Sequence, residues 1–249
     1  IINKTDALSE PRDPATLNKL MFVKLMPLLI AAYVLSFLDR TNIALAKHHL
    51  DVDLGISAAA YGLGAGLFFL TYALSEVPSN LIMHKVGARF WIARIMVTWG
   101  LLSAAMAFVQ GETSFYVLRL LLGIAEAGLF PGVMLYLTYW FGREQRARAT
   151  GYFLLGVCFA NIIGGPLGAV LMQLDGVWGW RGWQWMFMLE GLPAVFFAMV
   201  VWKKLPDRPS KAPWLTATEA EQIEQRLAAE SEEGAGKGGH SFKQCLTPQ

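Results

Sequence analysis

The chain has 249 residues, of which 55% are hydrophobic and only 16% charged. An ordinary soluble domain carries about 25% charged residues, so that class is excluded. The net charge of +2 offers no bulk attraction to nucleic acid, and two cysteines, Cys158 and Cys245, make no disulfide framework.

Residues 1–20 are polar, contain Pro11 and Pro14, and read as a mobile tail without a signal peptide. The first residue is Ile rather than Met, which reads as a fragment or a processed chain. Apolar runs follow at about 22–46, 58–83, 89–109, 115–141, 147–172 and 183–202. Each approaches or exceeds the roughly 20 residues a membrane-crossing helix needs. The expected fold class is an all-α membrane protein, a six-transmembrane-helix bundle over residues 21–203. The joints at 84–88 and 110–114 are so short that neighbouring helices must run antiparallel.

Basic residues mark one side of the expected bundle. The tail, the Lys85–Arg94 region, the Arg143–Arg148 region and the Lys203–Lys211 region all fall there, against Lys47 and Arg181 opposite. The positive-inside rule places both ends of the chain in the cytoplasm. Residues 204–249 change character and read as a cytoplasmic loop. Within it, Trp214–Leu227 forms a short amphipathic helix with Thr218 and Glu221 as its capping box, and Ser231–His240 reads as a flexible linker.

Charges inside the spans carry the functional reading. Arg119 and Glu126 lie seven residues apart in the fourth run, two helical turns, so they share a face with Gly123 between them. Asp39 and Arg40 lie in the outer half of the first run, at an overlapping depth. A charge in hydrocarbon costs about 2.5 kcal/mol or more, so such groups face a partner or a wet cavity. Arginine stays protonated and binds carboxylates bidentately. A carboxylate taken out of water favours its protonated form. The four groups therefore read as an anion and proton site, with Arg40 and Arg119 binding substrate and Asp39 and Glu126 coupling protons. The competing reading is a set of structural ion pairs.

Tyr72 lies near mid-depth in the second run and Asn161 at the middle of the fifth; both are candidate substrate contacts. Gly62, Gly64 and Gly66 allow close helix approach. Pro166 predicts a kink in the fifth span. Glu76 reads as a structural cap or pair. Glu190, beside Pro193, reads as an acid that bonds freed backbone groups. His48, His49, Asp51 and Asp53 read as a solvated loop rather than a metal site, and no cofactor or metal is expected. Cys158 has no mid-membrane histidine to activate it, so an enzyme is not expected. A non-transporting six-span scaffold or receptor remains the alternative.

Several segments together resemble a known family: Leu38-Asp-Arg-Thr-Asn-Ile43, Glu76-Val-Pro-Ser-Asn-Leu81, Val86-Gly-Ala-Arg89, Arg119 through Gly132, and Trp185 through Pro193. The chain resembles the N-terminal half of a major facilitator superfamily transporter, within the anion:cation symporter family of tartrate, hexonate and phthalate carriers. The resemblance implies twelve spans in two six-helix bundles, with the C-terminal bundle absent here. It also implies a small organic anion and a proton as partners, moved by alternating access across a bacterial inner membrane. The roles of Asp39, Arg40, Arg119 and Glu126 in coupling and recognition carry over by matching motifs. The loop after the second span departs from the family pattern: Asn80 replaces a glycine, His84 an acid and Ala88 a base.

Overall fold

The computed structural model describes residues 12–237. Six segments are long and apolar enough to cross a membrane. They are formed by α1 (Pro14–Leu54), α2 (Ala58–Val86), α3 (Ala88–Ala105, extended by a short turn of tighter helix), α4 (Glu112–Glu126) with α5 (Leu129–Thr138), α6 (Arg143–Met172) and α7 (Gly182–Lys204). An eighth helix, α8 (Ala217–Lys237), follows.

The first boundary differs from expectation. Pro14 sits at the first helical position, and the Asp13 carboxylate caps the exposed Ala15 N–H at 3.2 Å. Both are helix-start signals, so α1 begins inside the stretch read as a tail. The His48–Asp53 stretch, read as a loop, is the last turns of α1, which stops at Gly55 with φ +66°. There the Trp183 indole donates to Asp53 at 3.0 Å.

The tail after α7 also orders more than expected. The capping box of α8 is Thr216–Glu219 rather than Thr218–Glu221: Thr216 N–H donates to Glu219 at 2.9 Å, and Glu219 N–H donates to Thr216 Oγ at 3.3 Å. The helix runs to Lys237 through much of the segment read as linker; the linker's last residues and Cys245 lie outside the described residues.

Breaks fall where the packing needs them. The chain passes through Pro166 without leaving the helix. The fourth span, read as continuous, is instead interrupted at Ala127–Gly128, where Gly128 has φ +92°. The Ala127 carbonyl freed by that break accepts from Ser79 Oγ at 2.8 Å, and the Trp91 indole donates to the same Oγ at 2.9 Å. In a membrane no water can do this, so a neighbouring side chain must.

Glycines let three helix pairs close. A Cβ at Gly123 would collide with Thr71 Oγ and the Phe68 carbonyl of α2, and one at Gly64 with the Phe115 ring. Gly62 and Gly66 face open space, so only one of the three α2 glycines serves close approach. Gly100 of α3 and Gly191 of α7 oppose each other, and a Cβ on Gly100 would sit 2.8 Å from the Gly191 carbonyl. Gly164 and Gly168 of α6 face Thr41 and Leu45 of α1 in the same way.

Two apolar clusters fill the bundle. One, at the basic end, joins Met21–Tyr33 of α1 to Ile92, Met96, Tyr136, Trp140 and Phe153. The other, at the opposite end, joins Ala46 and Leu50 to Phe68, Trp99, Phe115 and Trp183. On α1 the stretch between them carries Ser36, Asp39, Arg40 and Asn42.

Candidate functional site

The polar stretch of α1 has two faces, set by helical spacing. Ser36 and Arg40 stand four residues apart and share one face; Asp39 and Asn42, three apart, share another.

The first face meets α4. Glu126, the last residue of α4 before the break, is fully buried. Its Oε1 accepts from Ser36 Oγ and from Arg40 Nε, the latter at 3.0 Å, and pairs with the second guanidinium nitrogen at 3.0 Å. Its Oε2 is buried without a partner. The Arg40 guanidinium also lies against three rings, 5.1 Å from Phe37, 5.7 Å from Phe68 and 5.2 Å from Tyr72. Such ring faces are favourable seats for a cation.

Arg119 lies one wall away. It is 6% exposed, its Cζ stands 4.4 Å from the Phe68 centroid, and its Nε is buried without a partner. Among the described residues it makes no ion pair and no hydrogen bond. Phe68 therefore lies against both guanidinium groups, one neutralised by Glu126 and one not.

The second face meets α3 and α7. Asp39, 4% exposed, accepts from Ser103 Oγ and from the Trp99 indole at 3.3 Å. It pairs with neither arginine directly. Asn42 donates to Glu190 of α7 at 2.8 Å. The expectation that Glu190 would bond backbone freed by Pro193 is thus replaced by a side-chain partner on α1.

Four of the six candidate residues, Arg40, Tyr72, Arg119 and Glu126, gather around Phe68 and the end of α4. Asp39 is adjacent but turned through the helix to a different set of partners. Asn161 stands apart: it is exposed on α6, and its amide donates to its own helix at Val157 O, 2.9 Å away. Glu76 makes no hydrogen bond or ion pair among the described residues, against the structural pair expected of it. Sequence reading missed Ser36, Ser103 and Trp99, the neutral donors to the two acids. Their spacing from Asp39 and Arg40 carried a signal only for Ser36, one turn before Arg40.

At the basic end, the acid missing from the α2–α3 turn is supplied from elsewhere. Asp207, after α7, accepts from Arg89 N–H at 2.9 Å and so caps α3. Gly87, with φ +93°, leaves room for it. His84 lies 3.1 Å from the Tyr139 hydroxyl.

The sequence of residues 29–244 matches the family described as Major Facilitator Superfamily. The chain belongs to that superfamily. Among its relatives, a protein of Agrobacterium vitis named "Putative tartrate transporter" is 48% identical over 225 residues, 90% of this chain and 50% of that protein. The "Inner membrane transport protein RhmT" of Escherichia coli strain K12 is 44% identical over 211 residues, 85% of this chain and 49% of that one. The chain thus spans about half the length of the curated relatives it matches. Its fold is similar to the crystal structure of a bacterial homologue of the human lysosomal transporter Spinster, with a TM-score of 0.70 and 22% identity over 74% of this chain and 44% of that one. As a superfamily member the chain is a multi-pass membrane protein, and the long apolar helices with internal charges follow from that.

Proposed function

We propose that this chain forms one half of a proton-coupled carrier of a small organic anion, and that Arg119 takes the anion's carboxylate. One observation carries the reading: a buried guanidinium with no ion pair among the described residues beside a second one that has its own. An arginine cannot shed its charge, so a buried one without an ion pair is costly unless an anion arrives. A carboxylate beside Arg119 supplies the missing charge and two hydrogen bonds.

The Arg40–Glu126 pair supplies the coupling. With Glu126 ionised, Arg40 is occupied. With a proton on Glu126, Arg40 is free to join Arg119 on a second carboxylate or hydroxyl of the substrate. Tyr72, against Arg40, offers a phenol to the same ligand. Asn161 holds a lesser place, through the carboxamide oxygen left open on the exposed face of α6. Asp39, one residue from Arg40 but on the other face, takes the second proton-coupling role.

The name borne by the Agrobacterium vitis relative supports a dicarboxylate or sugar acid as the substrate class. The exposed apolar residues of α2, including Phe69, Leu70 and Leu74, and of α6, including Phe159 and Ile162, fit contact with lipid or with a second six-helix bundle. The basic end faces the cytoplasm in this reading. Alternating access between two such bundles then carries the anion across.

Counterflow of labelled tartrate and related carboxylates into proteoliposomes tests this. Arg119→Ala in the carrier containing this chain cuts exchange at subsaturating anion roughly 10- to 100-fold while the protein still inserts and purifies. Exchange at the wild-type rate in that variant overturns the assignment and favours a scaffold.

A further inference from the structure

The face of α1 opposite Arg40 carries a second site that anion binding does not use. Asn42 is fully buried and Glu190 is 5% exposed. One hydrogen bond joins them, from Asn42 Nδ2 to Glu190 Oε2 at 2.8 Å. Two atoms of the same pair are left over: Asn42 Oδ1 and Glu190 Oε1 are both buried and both without partners.

Those two leftovers are of one kind. A carboxamide oxygen only accepts, and so does an ionised carboxyl oxygen. A buried polar atom without a partner is destabilising, and here two stand on adjoining groups. A carboxylic acid and a carboxamide can instead close a ring of two hydrogen bonds, amide N–H to acid oxygen and acid O–H to amide oxygen. The first is present. The second needs one hydrogen, bound to one orphan and donated to the other.

The surroundings supply no alternative charge. Glu190 makes no ion pair among the described residues. Its charged neighbour is Asp39 of α1, another acid. From α3 come the neutral donors Trp99 and Ser103, both directed at Asp39. From α6 the approach to α1 is made by Gly164 and Gly168. The Gly100–Gly191 contact then holds α7 so close to α3 that Glu190 is kept out of solvent.

We propose that Glu190 is a proton-binding site, and that its proton locks α7 to α1 as an acid–amide pair with Asn42. Loss of the proton removes one of the two bonds and sets a bare charge beside Asp39, so the lock opens. The inference concerns α1 and α7 alone and stands whether or not the chain binds an organic anion.

Infrared spectroscopy of the purified protein in lipid at neutral pH tests it. The expected result is a protonated-carboxyl C=O band that moves under [13C]glutamate labelling and loses the intensity of a single carboxyl in Glu190→Gln. Glutamine reproduces the donor and acceptor of the protonated acid, so the fold is kept. In Asn42→Ala the same band persists at higher frequency, because its acceptor is gone. Two results overturn the proposal. One is a wild-type-minus-Glu190→Gln spectrum holding only ionised-carboxylate bands, including any that shift with added Na+. The other is an Asn42→Ala spectrum whose protonated-carboxyl bands are all unmoved.

Discussion

Arg40 and Glu126 meet at 3.0 Å across α1 and α4, while Arg119, buried beside them, has no ion pair among the described residues and an unpartnered Nε. Both arginines lie against Phe68, but only Arg40 reaches a carboxylate. That asymmetry sets opposite expectations for the two arginines.

Removing Arg40 strands Glu126 as a buried charge. Breaking a buried pair on one side costs about 3–5 kcal/mol. Arg40 is 28% exposed, so Arg40→Ala belongs at the low end, about 3 kcal/mol. The double variant Arg40→Ala with Glu126→Gln should regain most of that loss, because the stranded charge is gone. Thermal unfolding in mild detergent reads both. Equal destabilisation in the single and double variants would show that the pair is not what holds α1 to α4.

Removing Arg119 should act in the other direction. With no ion pair to break, Arg119→Ala removes a buried charge and leaves the ligand-free protein as stable as before or more so. The cost falls on the ligand. A charge-assisted hydrogen bond contributes about 1.5–3 kcal/mol, so carboxylate affinity drops roughly 10- to 100-fold. Titration of a carboxylate series by thermal shift measures the two effects on one sample. Destabilisation of the ligand-free variant would mean that Arg119 has a structural partner after all.

Most of the architecture was legible in the sequence, and the part that was not has a physical cause. Apolar runs of span length give the six crossings because lipid leaves the backbone little choice but helix. Residue rise put Arg40, Arg119 and Glu126 at overlapping levels, and the structure brings the three together at Phe68 and the end of α4. Direction did not follow from rise: Asp39 and Arg40 are neighbours in sequence, yet about 100° of helical turn sends one to Ser103 and Trp99 and the other to Glu126. Nor did the break before Gly128, since its carbonyl is satisfied by Ser79, far away in sequence. Pro166 passes inside α6, whereas the glycine with positive φ marks the interruption in the fourth span. The start of α1 was marked locally by Asp13 and Pro14; what lay hidden was the tie from Arg12 to Glu219, some two hundred residues on.

The break itself makes a prediction. Ser79→Ala removes the donor to Ala127 O and the acceptor of the Trp91 indole together. No water replaces them at that depth, so about 1–3 kcal/mol is lost. Ser79→Thr keeps the hydroxyl and should retain most of the stability. Unfolding midpoints of the two variants compare them directly; a neutral Ser79→Ala would mean that the α4–α5 interruption holds itself.

Outside the spans, Arg12 and Glu219 join the start of α1 to α8. The guanidinium donates to both carboxylate oxygens, at 2.7 and 2.9 Å, and holds the Glu219 carboxyl down at about 2, with backbone donors at Thr216 and Arg12 adding to it. An ordinary glutamate titrates near about 4.3. Because the folded value is the lower one, the contribution is complete above about pH 4.3 and fades as pH falls toward about 2. Arg12 is 39% exposed, so solvent screening keeps the pair near the modest range of about 0–1 kcal/mol. The unfolding midpoint should therefore decline over that acid window, and the decline should shrink in high salt. In Glu219→Gln the component due to this pair should vanish, leaving a lower but flatter curve. An acid decline of the same size in that variant would place the titrating group elsewhere and leave α8 without its electrostatic hold on α1.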